Sequence, residues 1–300
     1  MAEFTCFDGS CITLDDRCDG KTDCQDRSDE EECKTFVTFN GYNKLFAPPP
    51  LENQTKLLIN ISVNINKIIE INENEGFFTA KMTLFCKWRN SQLTYQNLKR
   101  NPIKNELSTD DIERMWKPYF VFENIRHNDD YKRTNEKDFM TIIPGQEFHF
   151  ELSDKTNFRN TRLFRGAENA FHYERQLTIN SIFVADMRWY PFDTQRCTLQ
   201  MVSSESLVSF NPLFVNYSGP VVLPQHFVKG VNICPFLDKG KSGLIVEVFL
   251  GRPLFGTVLS VFMPTSVFLV LSHMVKIFGK DHLEMVIEVN LTLLLVLATL

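Results

Sequence analysis

The sequence predicts a mostly β, two-sheet sandwich, preceded by a small disulfide-rich module and followed by apolar α-helical segments. Three observations predict it. Apolar and polar residues alternate with period two from about Lys56 to Gly251, five of the eight cysteines fall in the first 34 residues, and no charge occurs from Pro253 to Ser272. With 300 residues, 43% hydrophobic content and a net charge of −5, the chain can build one or two cores, and nothing in it points to nucleic acid or to disorder.

The charge is unevenly placed. Residues 1–34 carry eleven acidic against four basic side chains, a net of −7, which leaves the rest near +2. Cys6, Cys11, Cys18, Cys24 and Cys33 in so short a stretch imply disulfides and an oxidising compartment. Sequons at Asn53, Asn60 and Asn216 agree with a cell-surface location. Met1-Ala2-Glu3-Phe4 lacks the basic start and apolar run of a signal peptide, and the apolar stretch stops at Leu300 without a polar cap, so the sequence is expected to be incomplete at both ends.

Between Cys18 and Glu30 carboxylates crowd among the cysteines at a density that would repel itself without a cation, and hard oxygens in this number suit calcium. The alternative is an acidic, solvated linker. Cys18-Asp19-Gly20-Lys21-Thr22-Asp23-Cys24 and Ser28-Asp29-Glu30 resemble the low-density-lipoprotein receptor class A repeat. That resemblance implies a calcium ion held by the side chains of Asp19, Asp23, Asp29 and Glu30 and the carbonyls of Asp16 and Lys21. It also implies disulfides Cys6–Cys24 and Cys18–Cys33, with Cys11 lacking the partner that the family's first cysteine would supply. Such modules take a protein ligand or modify presentation of their host.

The middle of the chain reads as half-buried antiparallel strands, as in Leu58 to Ile65 and Ala80 to Trp88. Turn signals at Asn124, Pro144-Gly145, Gly166 and Asn211-Pro212 suggest an immunoglobulin-like sandwich. Thr109-Asp110-Asp111-Ile112-Glu113 offers an N-cap and an acidic first turn for one brief helix. No phosphate loop, zinc spacing or Ser/His/Asp signature is present, so an enzyme is not expected.

Trp189-Tyr190-Pro191-Phe192-Asp193-Thr194-Gln195-Arg196-Cys197 resembles the signature loop of the Cys-loop receptors, the pentameric ligand-gated ion channels. Phe183 stands where that family has the second cysteine, so the loop is present without its staple. Trp88 to Tyr95, Met115 to Tyr119 and Gly251-Arg252-Pro253 resemble further family segments in the correct order. Tyr190-Pro191 can adopt a cis bond that presents Phe192 and Asp193 at a tip. The resemblance implies that Asp193 pairs with Arg252 and that Phe192 packs on membrane helices, coupling ligand binding to a pore; the alternative is a plain surface turn. Losing the crosslink removes about 3 kcal/mol in the chain-entropy model, of which burial of Phe183 can recover roughly 1.5–3 kcal/mol. Cys86 and Cys197 are expected as buried free thiols, and Cys234 stands without an adjacent cysteine.

By position in that family, a ligand pocket between subunits would draw Phe122, Glu123, Ser204, Ser206 and Phe236 from its principal face. The complementary face would supply Thr83, Phe85, Glu174 and Gln176. Hydroxyls replace several aromatics, so a cation–π cage for an amine is not expected.

Pro253 to Ser272 is long enough to cross a bilayer, with Pro264 matching the proline of the family's first membrane helix. Beyond the turn Gly279-Lys280-Asp281, Glu284, Glu288, Thr292, Leu295 and Thr299 are spaced to share one helical face. Five subunits would form rings of carboxylate and hydroxyl with a leucine constriction, which predicts a cation-selective pore. Leu293 and Leu294 are rival candidates for the gate, and the alternative for both glutamates is an interfacial helix start.

The expected organisation is a module over 1–34, a ligand-binding β-sandwich over 35–252 and a transmembrane region over 253–300. The resemblance implies a plasma-membrane, multi-pass subunit with an extracellular N-terminus, assembled with identical or related subunits among membrane lipid. Its expected ligands are a small molecule at subunit interfaces and a protein at the module. The alternative is a non-conducting cell-surface receptor anchored by its helices.

Overall fold

The computed structural model describes residues 3–38, 42–52, 54–126, 138–147, 149–153, 160–278, 287–288 and 290–292. The chain opens on β1 (Glu3–Thr5) and β2 (Cys11–Thr13), an antiparallel hairpin in which Phe4 faces Ile12. Phe4, Cys6, Leu14 and Cys24 form a small core, against which Ile12 and Leu152 pack. So few apolar side chains cannot hold a fold alone. Disulfides Cys6–Cys24 and Cys18–Cys33, with Cα atoms 5.9 and 5.6 Å apart, supply the rest, and Cys11 is free and exposed.

β3 (Phe36–Thr38) is followed by the two long strands β4 (Leu57–Asn72) and β5 (Phe77–Arg89). The turn between them uses Gly76 at φ +68, and a Cβ there would sit 2.9 Å from the carbonyl oxygen of Phe183. β6 (Leu93–Gln96), a 3-10 turn over Pro102–Asn105 and α1 (Thr109–Arg114) come next. The cap of α1 is Ser108 rather than Thr109, because the Ser108 hydroxyl accepts the Asp111 N–H at 3.2 Å and Thr109 is already helical.

β7 (Phe120–Phe122), β8 (Phe139–Ile143), β9 (Glu151–Leu152), β10 (Arg162–Arg165) and β11 (Ala170–Ile182) lead to β12 (Thr194–Ser203). β13 (Val208–Tyr217), β14 (Phe227–Asp238) and β15 (Lys241–Gly251) complete the strands. One sheet has the order β13-β4-β5-β11-β8, a second β14-β15-β12-β7, and a third β3-β6-β10-β9. Two compact units result, the first comprising Met1–Val184, Cys197–Gly219 and Val231–Glu247, the second Ala185–Arg196, Pro220–Gly230 and Val248–Leu300.

The alternation works as the pattern demands. Leu57, Ile59, Ile61, Val63 and Ile65 of β4 and Ala80, Met82, Leu84 and Cys86 of β5 point inward, each no more than 2% exposed. Trp88 anchors an aromatic cluster with Trp116, Phe171 and Tyr173 at ring separations of 5.8, 5.5 and 6.2 Å. Burying each such side chain contributes about 1.5–3 kcal/mol.

Two readings of the sequence are corrected. Asn211-Pro212 is not a turn but lies inside β13, at a register shift between Pro212 and Phe214. β13 is an edge strand, where proline's missing N–H leaves no ladder bond unmade. Nor are all strands antiparallel: the chain turns from β12 into β13 within a few residues, and β13 then runs parallel to β4, with Val208 opposite Leu57 and Asn216 opposite Asn64.

After Gly251 come α2 (Leu254–Thr257), a π-helical turn over Val258–Phe262 and α3 (Met263–Phe278). The π turn ends at Phe262, two residues before Pro264, which has no N–H and whose ring crowds the carbonyl four residues back. Hydroxyls of Thr265 and Ser266 donate to the Phe262 carbonyl at 3.0 and 2.8 Å. With the run divided in this way, no helix among the described residues is long and apolar enough to cross a membrane.

Phe183 is 5% exposed and meets Phe78 edge-to-face at 6.2 Å, its N–H donating to the Gly76 carbonyl at 2.9 Å. Phe183→Ala is predicted to destabilise the sandwich by about 3–5 kcal/mol, as for other buried phenylalanines. Chemical denaturation followed by tryptophan fluorescence measures this, and an unchanged midpoint would refute a packing role for the ring.

Candidate functional site

In the second unit the loop before β12 closes on itself through two backbone hydrogen bonds and a cis peptide bond. Tyr190 N–H donates to the Met187 carbonyl at 3.1 Å and Phe192 N–H to the Trp189 carbonyl at 2.6 Å, with Tyr190–Pro191 cis. Pro191 is buried, whereas Phe192 is 70% exposed. Phe192 therefore stands out at the tip of the loop, as the cis turn leads one to expect.

Asp193 is turned inward. Its Oδ1 and Oδ2 accept from Arg252 Nε at 2.9 and 3.1 Å, and the two side chains are only 3% and 8% exposed. Gln195, the second residue of β12, donates a short hydrogen bond to Asp193 Oδ2. The Gln195 amide also grips the Asp186 backbone, accepting from its N–H and donating to its carbonyl at 3.0 Å each. The Arg252 guanidinium lies 4.8 Å over the Tyr190 ring. Burial pushes the Asp193 carboxyl up, but the bonds from Arg252 and Gln195 outweigh it and hold it below its ordinary value. Gln195 was overlooked in the sequence, although its period-two placement between Asp193 and Cys197 marks it as inward.

Cys197 is fully buried, and burial with the nearby Glu73 charge pushes its thiol up to about 12. Burial likewise raises the Cys86 thiol. Neither is a reactive thiolate.

The candidate ligand residues fall in the first unit as two sets. On β5 and β11 the register sets Phe85 opposite Glu174 and Thr83 opposite Gln176, so all four share one face of the sheet. The buried Thr83 hydroxyl bonds to the Asn66 amide at 3.1 Å, and Phe85 stacks on His172 with ring centres 5.8 Å apart. Partial burial raises the Glu174 carboxyl, and burial together with Lys87 lowers the His172 imidazole. In the other set, Phe122 on β7 is half-buried opposite Met201 of β12, and Glu123 is exposed. Ser204 is half-buried and Ser206 exposed. Phe236 on β14 lies over Gly243, where a Cβ would meet its ring at 2.5 Å. Between the serines, Glu205 holds Trp116 Nε1 at 3.2 Å and Ala47 N–H at 3.1 Å, a structural role the sequence did not reveal.

In the module, Glu30 Oε1 accepts from the N–H groups of Asp19 and Gly20 at 2.9 and 3.0 Å, and Asp29 Oδ2 accepts from Asp23 N–H at 2.7 Å. Asp16 is half-buried, its carboxylate accepting from Thr13 Oγ1 at 2.7 Å, and Lys21 is exposed, its N–H donating to Asp19 Oδ1 at 2.9 Å. No group of three or more His, Cys, Asp or Glu among the described residues is placed to hold a metal ion. Asp29 nevertheless fits one: the residue is fully buried and its Oδ1 has no hydrogen-bond partner, the state that a cation would relieve.

Asn60 lies half-buried in β4, its Oδ1 accepting from Asn211 at 2.7 Å, while Asn216 is exposed in β13. Glu288 and Thr292 are exposed and helical, with Thr292 Oγ1 donating to the Glu288 carbonyl at 2.7 Å, which puts them on one helical face. Asn53, Glu284, Leu295 and Thr299 lie outside the described residues.

Asp193→Asn would strand the Arg252 charge, and loss of one partner of such a buried pair is predicted to destabilise by about 3–5 kcal/mol. The carboxyl value is depressed from 3.8 on folding, so its stabilisation is fully present above that value and is lost as pH falls through the lower folded value. Acid titration of the melting temperature should show a loss below about pH 4 in the unaltered chain. A variant that melts like the unaltered chain at pH 7 would contradict the assignment.

Residues 34–207 match the neurotransmitter-gated ion-channel ligand binding domain, and residues 1–33 match the low-density lipoprotein receptor domain class A. A curated relative, glycine receptor subunit beta-type 4 of Caenorhabditis elegans, is 20% identical over 271 residues, covering 86% of this chain and 51% of the relative. The chain thus spans about half the length of that relative. With more than half of its residues in the match and the β-sandwich to accompany it, the chain belongs to the neurotransmitter-gated ion-channel ligand binding domain family.

Proposed function

We propose that the chain is a subunit of a pentameric, cation-selective ligand-gated ion channel, with an extracellular part and a membrane region. On this reading residues 1–34 form the module, 35–252 the ligand-binding sandwich and 253–300 the transmembrane region. The observation that carries it is the buried Asp193–Arg252 pair, which ties the loop entering β12 to the residue just past the end of β15, where the helical run begins. Movement of that loop would pull on the start of the first membrane helix. Pro191 fixes the loop and Phe192, exposed at its tip, is free to meet a further surface.

Exposed apolar side chains support a bilayer-spanning role for the helical run. Phe255 is 80%, Leu259 55%, Leu269 64% and Val270 61% exposed, more apolar surface than water tolerates in one stretch. Lipid and neighbouring helices are the surfaces that would cover it. The subunit would then sit in the plasma membrane as a multi-pass protein with its N-terminus outside, with glycans at Asn53, Asn60 and Asn216. A small ligand would bind between identical or related subunits, against Phe122, Glu123, Ser204, Ser206 and Phe236 on one side and Thr83, Phe85, Glu174 and Gln176 on the other. Glycine, named in the curated relative, is a first ligand to test.

In the module a calcium ion would be held by the carboxylates of Asp19, Asp23, Asp29 and Glu30 with the carbonyls of Asp16 and Lys21, and would neutralise their mutual repulsion. The module would also take a protein ligand. Glu284, Glu288, Thr292, Leu295 and Thr299 would line the pore.

Currents recorded from cells expressing the full-length protein test the channel directly. Replacing both Glu284 and Glu288 with glutamine should shift the reversal potential away from the cation equilibrium value, and an unchanged value sinks the cation-ring assignment. Chelating calcium should lower the melting temperature of the module, since a cation at about 100 times its Kd stabilises by about 2.7 kcal/mol. Asp29→Asn should reproduce that loss and abolish the response to chelator; a variant that still responds would place the cation elsewhere.

A further inference from the structure

The module is clamped to the sandwich within the first unit, and the clamp closes on the segment that leads into its acidic loop. Lys99, between β6 and the 3-10 turn, donates from Nζ to the backbone carbonyls of Asp15 and of Arg17, each at 2.7 Å. Arg162 on β10 pairs with Asp15 Oδ1 at 2.5 Å while its own side chain is only 11% exposed. The reverse contact is made by Arg17 of the module, 8% exposed, which donates to the Asn160 carbonyl at 2.7 Å and to Thr161 Oγ1 at 2.8 Å and lies 4.3 Å over Phe4. Asn97 Nδ2 reaches Cys18 Sγ at 3.6 Å. Residues 15, 17 and 18 are thus held from outside the module, on both sides of Asp16.

Asp16 sits in the middle of that grip. The carbonyls on either side of its own are both taken by one ammonium. Downstream, Cys18 N–H donates to the Asp29 carbonyl at 3.1 Å, in the residue whose buried Oδ1 has no partner. We infer that cation binding in the module is coupled to its docking on the sandwich through Lys99, which fixes the backbone on both sides of the Asp16 carbonyl. The inference rests on the calcium reading given above. An ammonium withdrawn from water needs its carbonyl partners, and burial does lower the Lys99 value. Docking holds residues 15–17 in the arrangement that offers both carbonyls to Lys99, and a cation using the Asp16 carbonyl would bind that held form more tightly. Linkage makes the effect reciprocal: what docking does for the cation, the cation does for docking.

The sign separates this from simple charge attraction. Residues 1–34 carry a net of −7 and face Lys99 and Arg162, so a cation that lowers the module's charge would weaken a purely electrostatic association. The carbonyl grip requires the opposite.

The test is calorimetric titration of calcium into the purified, detergent-solubilised chain and its Lys99→Met variant, which keeps the apolar stem and removes the ammonium. Calcium should bind the variant at least about fivefold more weakly, the lower end of ordinary coupling energies. In the unaltered chain calcium should slow hydrogen exchange at the amides of Asn97, bonded to the Arg162 carbonyl, and Thr161, bonded to Ser153 Oγ. Equal or tighter binding by the variant overturns the coupling alone. Failure of the unaltered chain to bind calcium overturns the calcium reading and the coupling together. Should Lys99→Met not fold, exchange in the unaltered chain decides: unchanged or faster exchange at those two amides overturns the proposal.

Discussion

The carboxylate of Asp193 is the constraint around which the loop from Ala185 to Arg196 is organised. A charge taken out of water at 3% exposure requires partners, and it finds them in Arg252 and Gln195. Gln195 then cannot rotate freely, and its amide pins the Asp186 backbone at two points. One buried charge therefore fixes both ends of the loop without a covalent link. Removing a partner from a buried pair costs about 3–5 kcal/mol, and the chain-entropy value of a short-loop disulfide is about 3 kcal/mol, so the two devices are comparable in strength.

They differ in what they constrain. A disulfide between positions 183 and 197 would have acted mainly on the unfolded chain, whereas Phe183 against Phe78 and the Asp193 network act in the folded state. Cys197 is left as a buried, protonated thiol that packs like a small hydrophobe. The loop retains its shape through side chains that can exchange partners, which is compatible with a segment that moves.

How much of this was legible in the sequence depends on range. Alternation fixed which faces of β4 and β5 are buried, because side-chain period follows directly from strand geometry. It could not give the parallel pairing of β13 with β4, since period two is the same in either direction. Pro212 was misread because proline signals a turn locally, and only the sheet order shows that its strand is an edge. The same limit applies to the candidate site. Asp193 and Arg252 were named from a resemblance, but the bracing by Gln195 and the clamp made by Lys99 join residues whose proximity no local pattern encodes. Phe192 stands at the tip where the Tyr190-Pro191 turn presents it, 70% exposed, whereas Asp193, expected beside it at the tip, is turned inward by its partners Arg252 and Gln195.

The outer face of β4, β5 and β11 shows what such register can build. Because Thr83 faces both Gln176 and Asn64, and Phe85 faces both Glu174 and Ser62, hydroxyl, amide and carboxyl groups from three strands lie in two adjacent rows. One aromatic ring remains, and it is engaged with His172. On the proposed reading a ligand meeting this face would be discriminated by hydrogen bonds rather than by ring faces. Buried polar groups left unmatched are penalised more heavily than a missing apolar contact, so a polar wall of this kind selects more sharply between close analogues than an aromatic cage does.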